Sequence, residues 1–218
     1  MSVRFGCRNP SAAGFKASWL CIVACVRLGA ALLLTFGAGA TLAFEDACTF
    51  ARSIQGQDGR MLSLAGAGTR RFWWKPVNAV ALYAPQPTDS WAAVSAGTGE
   101  ARAEVVFLVE RFGRAQLRDS WMERFDVLIE PDQRTSQAAA VKAFLDMLPE
   151  IVRGDTLSFS STAQGLTLAL NRKTLGRAGD LAFGRLVLSS WFGNQPASAD
   201  LKTAVFSGAT VGSLPCVR

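Results

Sequence analysis

Apolar positions recur along this chain with two different periods, and the order in which the periods change gives the first outline of a fold. Residues 61–65 and 71–83 alternate in the manner of half-buried strands, with Leu62 and Leu64 set between smaller or polar neighbours. Between them, Gly66 and Gly68 mark a place where the backbone turns tightly or another group comes close, and this corner delivers Arg70. A short strand is expected within 49–54, and Asp58-Gly59 offers a two-residue hairpin turn after it. Pro76 cannot donate a ladder hydrogen bond, which predicts an edge strand or a bulge, and Pro85 and Pro87 end the segment. The run EVVFLVE is apolar enough to lie centrally in a sheet.

The period then lengthens. Gly113 opens a helix in which Leu117, Trp121, Phe125 and Leu128 form one apolar face, with Arg118, Asp119, Glu123 and Arg124 mostly elsewhere. A second helix is expected from about Asp132 to Leu148, closed by Pro149. Alternation returns in TLSFS and LTLAL around a turn at Gln164-Gly165, with a third short strand near Thr174-Leu175. Asp180 caps a largely apolar helix to Phe192, stopped by Gly193, and Ser198 caps a last helix to Val205 or Phe206. Strands, two helices, strands and two helices make an α+β fold, not an alternating parallel one.

Charge changes the picture only at the amino terminus. The net charge is +6, from 23 basic and 17 acidic residues. Four of the 23, Arg4, Arg8, Lys16 and Arg27, precede residue 44 and no Asp or Glu does, which leaves 19 against 17, a net of +2. No basic run interleaved with aromatics remains, so a nucleic-acid partner is not expected. The basic, acid-free start, the apolar run after Arg27 and the small residues through Ala43 predict a signal peptide over 1–43, cleaved near 40–43. The mature chain, 44–218, is then a single periplasmic domain whose only membrane contact is the leader; the alternative is a leader retained as an anchor. Of five cysteines only Cys48 and Cys216 lie beyond the leader, one near each end, and in an oxidising compartment they read as one disulfide.

The chemistry available is narrow. With no histidine in the chain, Ser-His-Asp and Cys-His mechanisms and histidine metal sites are excluded, and no other metal site or cofactor is indicated. GAGAGTR lacks the spacing of a dinucleotide or phosphate-loop fingerprint. What remains is Arg70 among aromatics, with amides and hydroxyls such as Asn78 and Ser190. Arg70 reads either as an oxyanion holder in an apolar pocket or as a solvated arginine whose stem lies over Trp73 or Trp74.

The segments GQDGRMLSLAGAGTR, VNAVALYAP, ARAEVVFLVE, LRDSWMERF, GDTLSF, GLTLALN and WFGNQPASADLK, in that order from about residue 54 to 207, resemble the chalcone-isomerase-like family in its bacterial, exported branch. The resemblance implies an open-faced β-sandwich, a large antiparallel sheet with a helical layer on one face and a ligand cleft between. Its members divide into true chalcone isomerases and fatty-acid-binding or non-catalytic relatives. By this resemblance Arg70 stands where the enzymes' ligand-holding arginine lies. Asn78, five before the strand-ending Tyr83, replaces a hydroxyl, and Ser190 matches a late-helix hydroxyl. The enzymes' Tyr, Lys and Asn at the start of the helix after the central strand have no counterparts in 112–120, where Arg114 or Arg118 could supply a charge, and Tyr83 is the sole tyrosine. The expectation is a non-catalytic envelope protein that binds a fatty acid or similar apolar carboxylate through Arg70, Asn78 and Ser190. The alternative is an isomerase or intramolecular lyase acting on an α,β-unsaturated carbonyl compound; a third is an interaction module whose cleft its own side chains fill.

Overall fold

Met61–Phe72 forms one continuous strand, where alternation alone predicts a strand that stops at the glycines. The computed structural model describes residues 47, 48, 50–207, 214 and 215. In chain order the first strands are β1 (Ala47–Cys48), β2 (Ser53–Gln55), β3 (Met61–Phe72), β4 (Lys75–Ala84), β5 (Ala101–Phe107) and β6 (Arg111–Phe112). The later ones are β7 (Ile151–Val152), β8 (Thr156–Thr162), β9 (Gly165–Leu170), β10 (Lys173–Ala178) and β11 (Leu214–Pro215). Seven of them make one antiparallel sheet in the order β10-β9-β8-β5-β4-β3-β2. The helices are α1 (Trp91–Ala96), α2 (Arg114–Leu128), α3 (Arg134–Met147), α4 (Leu181–Phe192) and α5 (Ala199–Phe206).

The two faces of the sheet are unequal. On the helical side Val80, Leu82, Val105, Leu157, Phe159, Leu166 and Leu168 meet Trp121, Phe125, Phe144, Phe183 and Phe192 in the main core. Aromatic rings dominate it: Trp121 lies 4.8 Å from Phe144 and 5.5 Å from Trp191, both edge-on, the geometry their quadrupoles favour. The other face carries a smaller cluster of Phe50, Leu62, Ala79, Ala81, Tyr83 and Leu108, covered by the chain leading into β2. There Arg102 donates to Glu100 Oε1 at 2.7 Å and to Ser160 Oγ at 2.7 Å, while Gln57 N donates to Glu100 Oε2 at 2.6 Å. One covered face and one partly covered face are the open-faced sandwich that the α+β order and the resemblance imply.

The glycines do not turn the chain. Gly66 and Gly68 sit within β3 opposite Leu82 and Val80, so both face the helical layer. A Cβ at Gly66 would collide with the Val205 carbonyl, and one at Gly68 would lie 2.9 Å from Leu201 Cδ1 and 3.0 Å from Ala204 Cβ. Close approach by α5 is therefore what the glycines permit, and the chain reverses instead at Trp73-Trp74. Pro76 occupies the irregular register between Arg70 and Arg71, the bulge that its missing N–H predicts.

Helix ends follow local chemistry. Asp180 Oδ1 accepts from Phe183 N, Ser198 Oγ accepts from Leu201 N, and Gly113 N donates to Gln116 Oε1. Strands β1 and β11 pair with Cys48 opposite Leu214. The leader over 1–43 and Cys216, and with it the Cys48–Cys216 bridge, lie outside the described residues. Among the described residues no helix is long and apolar enough to cross a membrane.

Candidate functional site

The register of β3 and β4 sets Arg70 directly opposite Asn78, with both side chains on the helical face of the sheet. Asn78 pairs in turn with Phe107 of β5, so an apolar ring flanks it. Asn78 is 7% exposed, and its Oδ1 is buried without a hydrogen-bond partner among the described residues. Arg70 is half-buried, and burial pulls its pKa below the ordinary arginine value. Its guanidinium has neither an ion pair nor a hydrogen bond among the described residues.

The packing of α5 shows what lies above this pair. Gly66 faces Val205 and Gly68 faces Leu201, so a two-residue step along β3, about 6.8 Å, matches four residues back along the helix, about 6 Å. The next step brings Arg70 level with the segment just before α5, around Ala197-Ser198. That segment is tied to its neighbours by two hydrogen bonds. Ala197 N donates to the Ser190 carbonyl at 2.7 Å, and the Gln195 carbonyl accepts from Arg124 Nη2 at 2.6 Å. Arg70, Asn78, Ser190 and Arg124 thus gather at one end of the molecule, between β3, β4, α2 and the α4–α5 loop. Ser190 is buried at 2% exposure and reaches the cluster through its backbone.

Arg124 is the residue that sequence reasoning missed. It reads as part of the charged side of α2, yet it is half-buried and its Nε is buried without a partner among the described residues. Burial and then the positive charge of Arg70 lower its pKa. The available signal was its position three residues after Trp121 and next to Phe125, on the flank of the apolar face. Arg114 and Arg118 are occupied elsewhere. Arg114 donates to the Asp146 carbonyl at 2.6 Å and Arg118 to the Leu145 carbonyl at 2.7 Å, so both tie α2 to the end of α3. A further buried arginine, Arg185, donates to the Gly97 and Gly99 carbonyls and holds the loop before β5.

Tyr83 is remote from this cluster in a decisive way. It points to the opposite face of the sheet, is fully buried, and donates its hydroxyl to the Ala51 carbonyl at 3.0 Å. Burial pushes that phenol well above the usual tyrosine value. A hollow of about 900 Å³ lies on the outer side of the α4–α5 loop, with Trp91, Val127, Leu128, Gln195, Pro196 and Phe206 in its walls. None of Arg70, Asn78, Ser190 or Arg124 lines it, and Gln195 is its point of contact with Arg124. Among the described residues no group of three or more Cys, Asp or Glu could hold a metal ion.

The arrangement can hold an oxyanion. Two guanidiniums and a carboxamide lie under a helical layer with no described carboxylate paired to either arginine, and removal from water strengthens whatever charge they meet. Comparison with known proteins agrees with this architecture. No curated protein matches the sequence. The crystal structure of an Arabidopsis thaliana fatty-acid binding protein matches the fold with a TM-score of 0.53 and 12% identity, over 72% of this chain and 97% of that one. The family described as chalcone isomerase-like matches residues 46–206, the whole span of the sheet and its helical layer. On that match, the chain belongs to the chalcone isomerase-like family.

Proposed function

We propose that this protein is a non-catalytic binder of a fatty acid or similar apolar carboxylate, held by its head group at Arg70. The observation that carries the reading is the convergence of Arg70 and Arg124, two half-buried cations without a described carboxylate partner, beside the orphaned amide of Asn78. Two like charges brought close together between sheet and helix repel, and an anion between them relieves that repulsion. The fatty-acid binding protein that shares the fold supports the choice of ligand class, although at 12% identity its likeness bears on the fold alone. Ser190 serves the site in this reading by holding the α4–α5 loop through its carbonyl. The protein's location in this reading is the periplasm after removal of the leader.

The isomerase reading gains no specific support. The chain's sole tyrosine points away from Arg70, and Arg114 and Arg118 are engaged with α3. The test is a titration of the purified chain with a long-chain fatty acid, followed by calorimetry, with native mass spectrometry to detect co-purified lipid. Arg70→Ala should weaken binding about 10- to 150-fold, the loss of a charge-assisted contact worth roughly 1.5–3 kcal/mol. Equal affinity in wild type and Arg70→Ala would remove Arg70 from the site.

A further inference from the structure

The tip of the β3–β4 hairpin is built from residues that a turn does not need. Phe72, Trp73 and Trp74 are 67%, 78% and 69% exposed, the most exposed large apolar side chains among the described residues. Their rings touch one another, with centroids 6.4 Å apart for Phe72 and Trp73 and 5.7 Å for Trp73 and Trp74, and meet no other aromatic ring among the described residues. Trp73 also holds the left-handed conformation, φ 59°, which glycine or asparagine adopts with less strain. Neither burial nor turn chemistry accounts for tryptophan there. Contiguous exposed aromatics of this kind mark a contact surface.

The charge around the tip points to the partner. Arg71 and Lys75 flank the aromatics and are exposed, and Arg71 Nη1 donates to the Trp74 carbonyl at 3.3 Å. From Met61 to Thr88 the chain holds three basic residues, Arg70, Arg71 and Lys75, all within five residues of the tip, and no acidic one. The mature chain is otherwise close to neutral, so this positive charge is local to the hairpin. Tryptophan settles at the boundary between acyl chains and head groups, and flanking cations are drawn to anionic lipid. The tip is convex and carries a ring cluster at its end, a shape suited to insertion into a soft interface. The site described above begins two register steps away, since Phe72 pairs with Lys75, Arg71 with Pro76 and Arg70 with Asn78.

We propose that the Phe72-Trp73-Trp74 tip docks the protein onto an anionic lipid surface, the aromatics entering the interfacial layer and Arg71 and Lys75 lying among the head groups. Docking in this way faces the Arg70–Asn78 end toward the membrane, so an amphiphilic acid passes between bilayer and site without crossing bulk water. The passage of ligand rests on the binding function proposed above; the docking does not. It places a membrane contact on the folded domain itself.

The test compares the wild-type chain with Trp73→Asn/Trp74→Gly, which places a favoured two-residue turn at the tip and preserves the hairpin. Vesicles of phosphatidylcholine with and without phosphatidylglycerol are prepared with lipids brominated near the head group. Tryptophan emission of the wild type should be quenched by the anionic vesicles, and co-flotation with them, which needs no tip tryptophan as reporter, should be lost in the variant; undiminished flotation of the variant overturns the proposal. The two chains share every other residue, so the leader cancels from the difference. Arg71→Gln/Lys75→Gln should keep the aromatics and lower the preference for phosphatidylglycerol about fivefold per charge. Arg70→Ala should bind fatty acid about 10- to 150-fold more weakly yet dock normally, so failure of the head-group reading and failure of docking are separable. Equal quenching in wild type and tip variant overturns the proposal. So does sedimentation showing that the tip drives pairing of two copies in place of lipid contact.

Discussion

Asn78 and Glu104 lie on opposite faces of the same sheet, and each is a polar group held where water is scarce. The Asn78 Oδ1 lacks a partner among the described residues, and an unsatisfied buried oxygen costs about 1–3 kcal/mol. Asn78→Val keeps a strand-forming shape and removes that oxygen together with the amide donors. It should melt at the same temperature or higher while binding fatty acid more weakly, a split read by calorimetry of both chains. Glu104 faces away from the helices; burial raises its pKa, with Arg102 and then Arg172 acting against the rise. Its folded form therefore keeps a proton at pH values where the unfolded chain has lost it. The resulting stabilisation is present in acid and is lost as pH rises through the folded value. Glu104→Gln should melt higher than wild type at neutral pH, with the difference shrinking as pH falls into the carboxylate range. Arg70 and Asn78 were legible because strand pairing and the ordered resemblance both reach them. Arg124 was not, because a helical residue on the flank of an apolar face reads as solvated until the α4–α5 loop is seen to lie over it.

Element boundaries were legible wherever the stop signal is local. Asp180, Ser198, Gly113 and Gly193 bound helices through their own side chains or backbone, and nothing distant is needed to read them. The β3 glycines show the opposite case. Gly66 and Gly68 look like a corner because glycine serves turns and close approaches equally, and only α5, more than a hundred residues later, decides between them. Their spacing of two, which puts both on one face of a strand, is the cue that favours contact over a turn. Gly66→Ala should force α5 outward, since the new methyl would meet the Val205 backbone and not a side chain that can rotate away. A loss of about 2 kcal/mol, or roughly 4–8 °C in melting temperature, is expected and is read by thermal denaturation. The same shift should loosen the cover above Arg70.

At the scale of the whole molecule, strand order within the sheet was not legible, because pairing partners far apart in sequence leave no local trace. The broad class was legible, since the sequence of periods already separates strands from helices. The pairing of β1 with β11 joins the first and last described strands and sets Cys48 opposite Leu214. If Cys48 and Cys216 are bridged in the exported protein, the mature chain should show no free thiol before reduction and two after it. Loss of the bridge should then cost up to about 5 kcal/mol in the loop-entropy picture. Two thiols in the unreduced mature chain would instead leave the ends held by strand pairing alone.

The contact between Gly66 and the Val205 carbonyl also gives a gauge for relatives of this protein. A family member with any larger residue at the equivalent of Gly66 must carry its last helix farther from the sheet, and the roof over its arginine must rise with it. The width of that residue thus becomes a ruler for the gap between the sheet and the last helix.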